Sequence, residues 1–71
     1  MKSATVSYII TELSKEEYGN TSIVINMKSG ATIYTIPSNV SLNKECDCLA
    51  IASEDDGTKW LDVDSIEYIE I

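Results

Sequence analysis

Arginine, histidine and phenylalanine are absent from this chain of 71 residues. Without histidine there is no ordinary general base for a serine or cysteine nucleophile, and no imidazole to complete a metal site. Without arginine, the scattered lysines at 2, 15, 28, 44 and 59 do not form the basic cluster that phosphate contacts require. Glycine is sparse and isolated, at 19, 30 and 57, so no glycine-rich loop can cradle a phosphate. Long apolar runs are missing too. The first is broken by Thr11 and Glu12, which excludes a signal-peptide core, and none approaches the roughly 18 apolar residues of a membrane span. These absences point to a non-enzymatic protein of the cytoplasm that binds neither nucleic acid nor membrane directly and holds no cofactor or metal. In an unsecreted chain the sequons Asn20-Thr21-Ser22 and Asn39-Val40-Ser41 are chance matches.

What is present is acid, and it is one-sided. Residues 1–36 balance Glu12, Glu16 and Glu17 against Lys2, Lys15 and Lys28. Residues 37–71 set nine acids against Lys44 and Lys59, which places the whole net charge of −7 in the second half. Such a field bears on what can approach the protein, and a basic protein surface is its natural partner. With 44% hydrophobic residues the chain is too apolar to be disordered by composition. At this length it forms a single domain, residues 1–71, with one modest core. About ten to twelve interior side chains at roughly 1.5–3 kcal/mol each would barely exceed the ordering entropy, and small domains with that balance often gain stability from homo-oligomerisation or a partner.

The apolar spacing has a period of two almost throughout, which predicts strands. The first runs from Thr5 to Thr11, alternating through Val6, Tyr8 and Ile10. A polar loop follows from Ser14 to Asn20, with room for one helical turn at Lys15-Glu16-Glu17. Ser22 to Met27 and Ala31 to Ile36 should pair as a hairpin, with Gly30 supplying a positive φ in the connection. Pro37 ends the third strand, and residues 37–47 read as a loop rich in turn formers, with room for a short helical turn. The fourth run is Cys48 to Ser53, and Asp56-Gly57 is a strong hairpin signal leading into the fifth, Thr58 to Val63. Ile66 to Ile71 closes the chain, with Ile69 and Ile71 pointing inward. No internal repeat is evident. The expected fold is all-β: a five- to six-stranded antiparallel small barrel, or the strands folded over as a tight sandwich, because that removes exposed edges.

The tail Lys59-Trp60-Leu61-Asp62-Val63-Asp64-Ser65-Ile66-Glu67-Tyr68-Ile69-Glu70-Ile71, with the Asp56-Gly57 turn before it, resembles the end of an SH3-like barrel. In that fold a penultimate strand enters one tight helical turn and a short last strand leaves it. The resemblance implies Trp60 to Val63 as the penultimate strand, Asp64-Ser65-Ile66 as the turn and Glu67 to Ile71 as the last strand. The aromatic-rich segment of peptide-binding SH3 domains is missing, so recognition of proline-rich peptides is not implied. Plentiful Ile, Lys and Asn with no arginine fit an AT-rich genome, such as that of a low-GC Gram-positive bacterium or a phage that grows in one. In style the whole chain is similar to small acidic proteins of phages and mobile elements in Gram-positive bacteria. Several of those block host enzymes or defence systems.

Each candidate site has a plain alternative beside it. Cys46 and Cys48 on an extended segment would point the same way with Cα atoms too far apart for an easy disulfide, so a free thiol pair is expected. A zinc shared across a dimer interface, with Glu45 or Asp47 as further ligands, is the sharper reading. Glu54-Asp55-Asp56-Gly57 lacks the spacing of a calcium loop and reads as a solvated turn. Asp62-Val63-Asp64 resembles the metal-binding pair of some sugar transferases, but those enzymes are far larger. Trp60 either caps the core or, if Leu61 and Val63 face inward, points outward with Asp62 as an interaction anchor.

The leading functional expectation is an acidic protein-binding module. Glu54, Asp55, Asp56, Asp62, Asp64, Glu67 and Glu70 would steer a basic partner, and Trp60 and Tyr68 would anchor it. Its sharpest version is a phage-type inhibitor that presents carboxylates where phosphates would sit in a nucleic-acid-binding or defence protein. Two other classes stay open: an oligomeric small-molecule binder of the sponge type, and a structural subunit that assembles through an exposed edge strand.

Overall fold

The computed structural model describes residues 1–15, 20–55 and 57–71. Over the described residues the chain is mostly β, with one short helix and two three-stranded antiparallel sheets. Helix α1 spans Ser3–Leu13, and the strands are β1 (Ile23–Met27), β2 (Thr32–Thr35), β3 (Val40–Asn43), β4 (Cys48–Ser53), β5 (Gly57–Asp62) and β6 (Ile66–Glu70). Single 3-10 turns at Pro37–Asn39 and Val63–Ser65 join β2 to β3 and β5 to β6. The sheets are ordered β2-β1-β6 and β3-β4-β5, and among the described residues no ladder joins them into a closed barrel.

The first expected strand is a helix. Its apolar residues satisfy two periods at once: Val6, Tyr8 and Ile10 alternate, but Val6, Ile10 and Leu13 fall on one helical face. Those three are buried while Tyr8 is exposed, so the helical stripe is the one that packs. Thr5, Val6, Ile9, Ile10 and Thr11 are β-branched and favour a strand locally, and no side chain caps the helix at Lys2. Packing against β3 and the second 3-10 turn overrides that preference. Residues 37–47 are likewise not a continuous loop. Pro37 starts a 3-10 turn, where its missing N–H costs nothing, and buried Val40 then begins β3. The helical turn expected at Lys15-Glu16-Glu17 lies largely outside the described residues.

The hairpin of β1 and β2 forms as its alternation predicts, with Ile25 opposite Ile33 and Gly30 at φ +95°. Gly57, at φ +74°, opens β5 opposite Ser53, while Asp56 lies outside the described residues. Inward residues of both sheets meet in one core: Ile23, Ile25 and Ile66 from the first, and Val40, Leu49 and Ile51 from the second. Val63 and the helical residues Val6, Ile10 and Leu13 complete it. The α-amino group of Met1 donates to the carbonyls of Val63 (3.1 Å) and Ile66 (2.6 Å), which ties the helix start to the second 3-10 turn.

The strand order holds a repeat that residue identities conceal. Each half consists of a hairpin, a 3-10 turn and a third strand: β1, β2, β3 in one, β4, β5, β6 in the other. The third strand of each half crosses over and pairs with the first strand of the other. At an offset of 26 residues, buried Ile23, Ile25, Pro37 and Val40 correspond to buried Leu49, Ile51, Val63 and Ile66. Exposed Tyr34 corresponds to exposed Trp60. What the halves share is the sequence of inward and outward positions, which survives where side-chain identity does not.

Candidate functional site

Strand pleating fixes where Trp60 points. Leu49 and Ile51 of β4 face the core, so Cys48, Ala50 and Ala52 face out, and Trp60 sits opposite Ala50 on the same outer face. Beyond Ala50 in the same row lies Ser41 of β3. The indole therefore stands at the sheet edge beside two small side chains that cannot cover it, and it is 68% exposed. The core-cap reading of Trp60 does not hold. Leu61 is half-buried and Val63 buried, as the outward placement of Trp60 and Asp62 requires.

The acids do not gather on one surface. Asp62 adjoins Trp60 on the outer face of the second sheet, opposite Cys48, and its carboxylate accepts from the Asp64 N–H (3.1 Å) to cap the 3-10 turn. Glu54 and Asp55 lie in the turn from β4 to β5, at another edge of that sheet. Glu67, Tyr68 and Glu70 belong to β6, which the crossover places in the first sheet. A bulge there lets Ile66 and Ile69 both face inward despite being three residues apart. It consequently turns Tyr68 and Glu70 outward, in rows with Asn26 and Val24. Glu70 Oε1 accepts from Asn26 Nδ2 (3.0 Å), so this carboxylate also satisfies a buried amide. Ile71, expected to point inward, is 74% exposed beyond the end of the strand. Because both inner faces share one core, the outer faces look away from each other. The predicted set thus divides between Trp60 and Asp62 on one side and Tyr68 and Glu70 on the other, and Asp56 lies outside the described residues.

One aromatic escaped the sequence reading. Tyr34, 75% exposed, occupies on β2 the place Trp60 has on β5, and it borders an open groove of about 330 Å³. Ser22, Thr35, Asn39, Ser53 and Glu54 give that groove a polar lining. The equivalent position in the other half is drawn together by a bond from the Lys28 N–H to the Ser65 carbonyl (2.8 Å). Only the 26-residue offset, applied to Trp60, could have singled out Tyr34 in advance.

Cys46 and Cys48 are free thiols, but the segment holding them is a turn and not extended. Asp47, between them, has φ +50°. The Cys48 thiol is held above its usual pKa, first by its hydrogen bond with the Cys46 side chain, then by burial and by the nearby charges of Cys46, Asp62 and Asp47. Among the described residues no three Cys, Asp or Glu side chains converge as a metal ion would need. Among the described residues no helix is long and apolar enough to cross a membrane. Comparison of the chain with protein-family models, with curated proteins and with solved structures finds no match.

Proposed function

We propose that this protein is a non-enzymatic, acidic protein-binding module whose contact surface is the outer face of the second sheet, centred on Trp60. The observation that carries this reading is the exposed indole on a strand face of small residues, with Asp62 beside it. Exposing so large an aromatic forgoes burial of roughly 1.5–3 kcal/mol, which a partner could recover. Asp62, together with Glu54 and Asp55 at the sheet margin, would steer a basic protein surface towards the indole. In its sharpest form the partner is a host nucleic-acid-binding or defence protein, and the module is a phage-type inhibitor working in the bacterial cytoplasm. The order of a strand, a 3-10 turn and a last strand at the C-terminal end suits the SH3-like resemblance, with the two sheets as the halves of a small barrel.

The test is capture from a lysate of a low-GC Gram-positive bacterium with tagged wild-type protein and with Trp60→Ala, at low and high salt. A basic protein retained by the wild type, lost from the variant and released by salt is the expected result. Recovery that neither salt nor the variant reduces would overturn the reading.

A second reading has one observation in its favour. The polar groove beside Tyr34 is large enough for a small organic molecule, which suits a small-molecule binder. Thermal stabilisation by members of a metabolite panel, abolished by Tyr34→Ala, would favour it over protein binding.

A further inference from the structure

The turn between β3 and β4 holds two thiols in a fixed relation that the binding reading does not use. Asn43 Oδ1 accepts from the Glu45 N–H (2.9 Å), and the Asp47 carbonyl accepts from the Val63 N–H (2.9 Å). The turn is thus anchored at its start to its own strand and at its end to the second 3-10 turn. The left-handed backbone of Asp47 folds Cys48 back, so that its Sγ donates to the Cys46 carbonyl at 3.2 Å, while the Cys46 Sγ reaches the Asn43 carbonyl at 3.9 Å within the same turn. Cys46 is exposed and Cys48 half-buried. One thiol is open to a reagent in solution and the other waits next to it.

We propose that Cys46 and Cys48 are a thiol–disulfide redox pair, closed by a small disulfide such as oxidised glutathione into an intramolecular Cys46–Cys48 bond. The exposed Cys46 thiolate attacks one sulfur of oxidised glutathione. The S–S bond breaks, one glutathione leaves as thiolate, and a mixed disulfide remains on Cys46. The Cys48 thiolate then attacks the Cys46 sulfur and expels the second glutathione. Both thiol protons end on the released glutathiones, and the protein has lost two hydrogens. The anchored turn favours this second step, because the resolving thiol is already in place and need not be found by diffusion. Asp47 and Asp62 disfavour the Cys48 thiolate, which assigns the first attack to Cys46.

The experiment is titration of the folded wild-type protein with oxidised glutathione, followed by intact mass and peptide mapping under non-reducing conditions. The expected product is monomeric, lighter by two hydrogens, with Cys46 and Cys48 in one linked peptide. Cys46→Ser and Cys48→Ser should each stop at a single glutathione adduct, with Cys46→Ser the slower to form it. A wild type that accumulates glutathione adducts, forms disulfide-linked dimers or stays fully reduced under excess oxidant would overturn the proposal.

Discussion

Removing the indole of Trp60 takes away a side chain that touches solvent more than protein, so folding and binding should respond differently. Trp60→Ala is expected to shift the free energy of unfolding by no more than about 0.5 kcal/mol, as surface substitutions do. The same change should weaken partner binding by about 2 kcal/mol or more, roughly thirtyfold, as truncation of an interface anchor does. Urea unfolding and an affinity measurement on one preparation separate the two effects. Glu70 is the opposite case, an acid with a structural duty. Glu70→Ala leaves the buried Asn26 amide without its acceptor and should cost about 1–2 kcal/mol in urea unfolding. Glu70→Gln retains an acceptor oxygen and should cost less. If the two variants unfold alike, the bond to Asn26 contributes nothing.

At the scale of elements, helix α1 and residues 37–47 depart furthest from the sequence reading, with a helix where a strand is expected and β3 where a loop is expected, and both do so because of packing. Helix α1 is nearly half β-branched and has no capping side chain, so its stability must come from the face it buries. A peptide of residues 1–15 should therefore show a coil-like far-UV circular dichroism spectrum in water. In the intact protein, Ile10→Ala is expected to cost about 2–5 kcal/mol, while Tyr8→Ala should stay within about 0.5 kcal/mol. Equal losses at the two positions would mean that the alternating face, and not the helical one, is buried. The β6 bulge acts over a shorter range. By inserting one residue opposite Asn26 and Met27 it shifts the alternation after it, so that Ile69 turns inward opposite Ile25 although Ile66 is also buried, while Ile71 is exposed because it lies beyond the end of the strand.

At the scale of the molecule, the crossed pairing of the two halves redistributes charge. The half comprising residues 22–47 balances Lys28 and Lys44 against Glu45 and Asp47, while residues 48–71 hold seven acids against Lys59. Had each half folded on itself, that excess would sit on one sheet. Because β6 crosses to pair with β1, Glu67 and Glu70 are carried to the first sheet, away from Trp60. A partner docked on Trp60 should therefore feel Asp62 more than Glu67. Asp62→Asn is expected to lower the association rate more than Glu67→Gln does, with the difference vanishing near 1 M salt, where the screening length falls to about 3 Å. Stopped-flow binding at two ionic strengths measures both.

Alternation alone determined the β1–β2 hairpin and the inward set of β4, because a pleated strand sends successive side chains to opposite faces whatever surrounds it, whereas for Trp60 it left cap and outward anchor both open until the packing exposed the indole. Composition determined the acidity and the want of histidine and arginine. The tertiary structure alone decided the helix, the third strand, the crossed halves and the turn that sets Cys46 beside Cys48. The helix depended on β3 and the second 3-10 turn, β6 on β1, and Asp47 on Val63, all distant in the chain, while β3 forms a hairpin with the adjacent β4. Where local preference and long-range burial disagreed, as at Val6 and Ile10, burial prevailed, because removing an apolar side chain from water outweighs the fraction of a kcal/mol per residue that local propensity supplies.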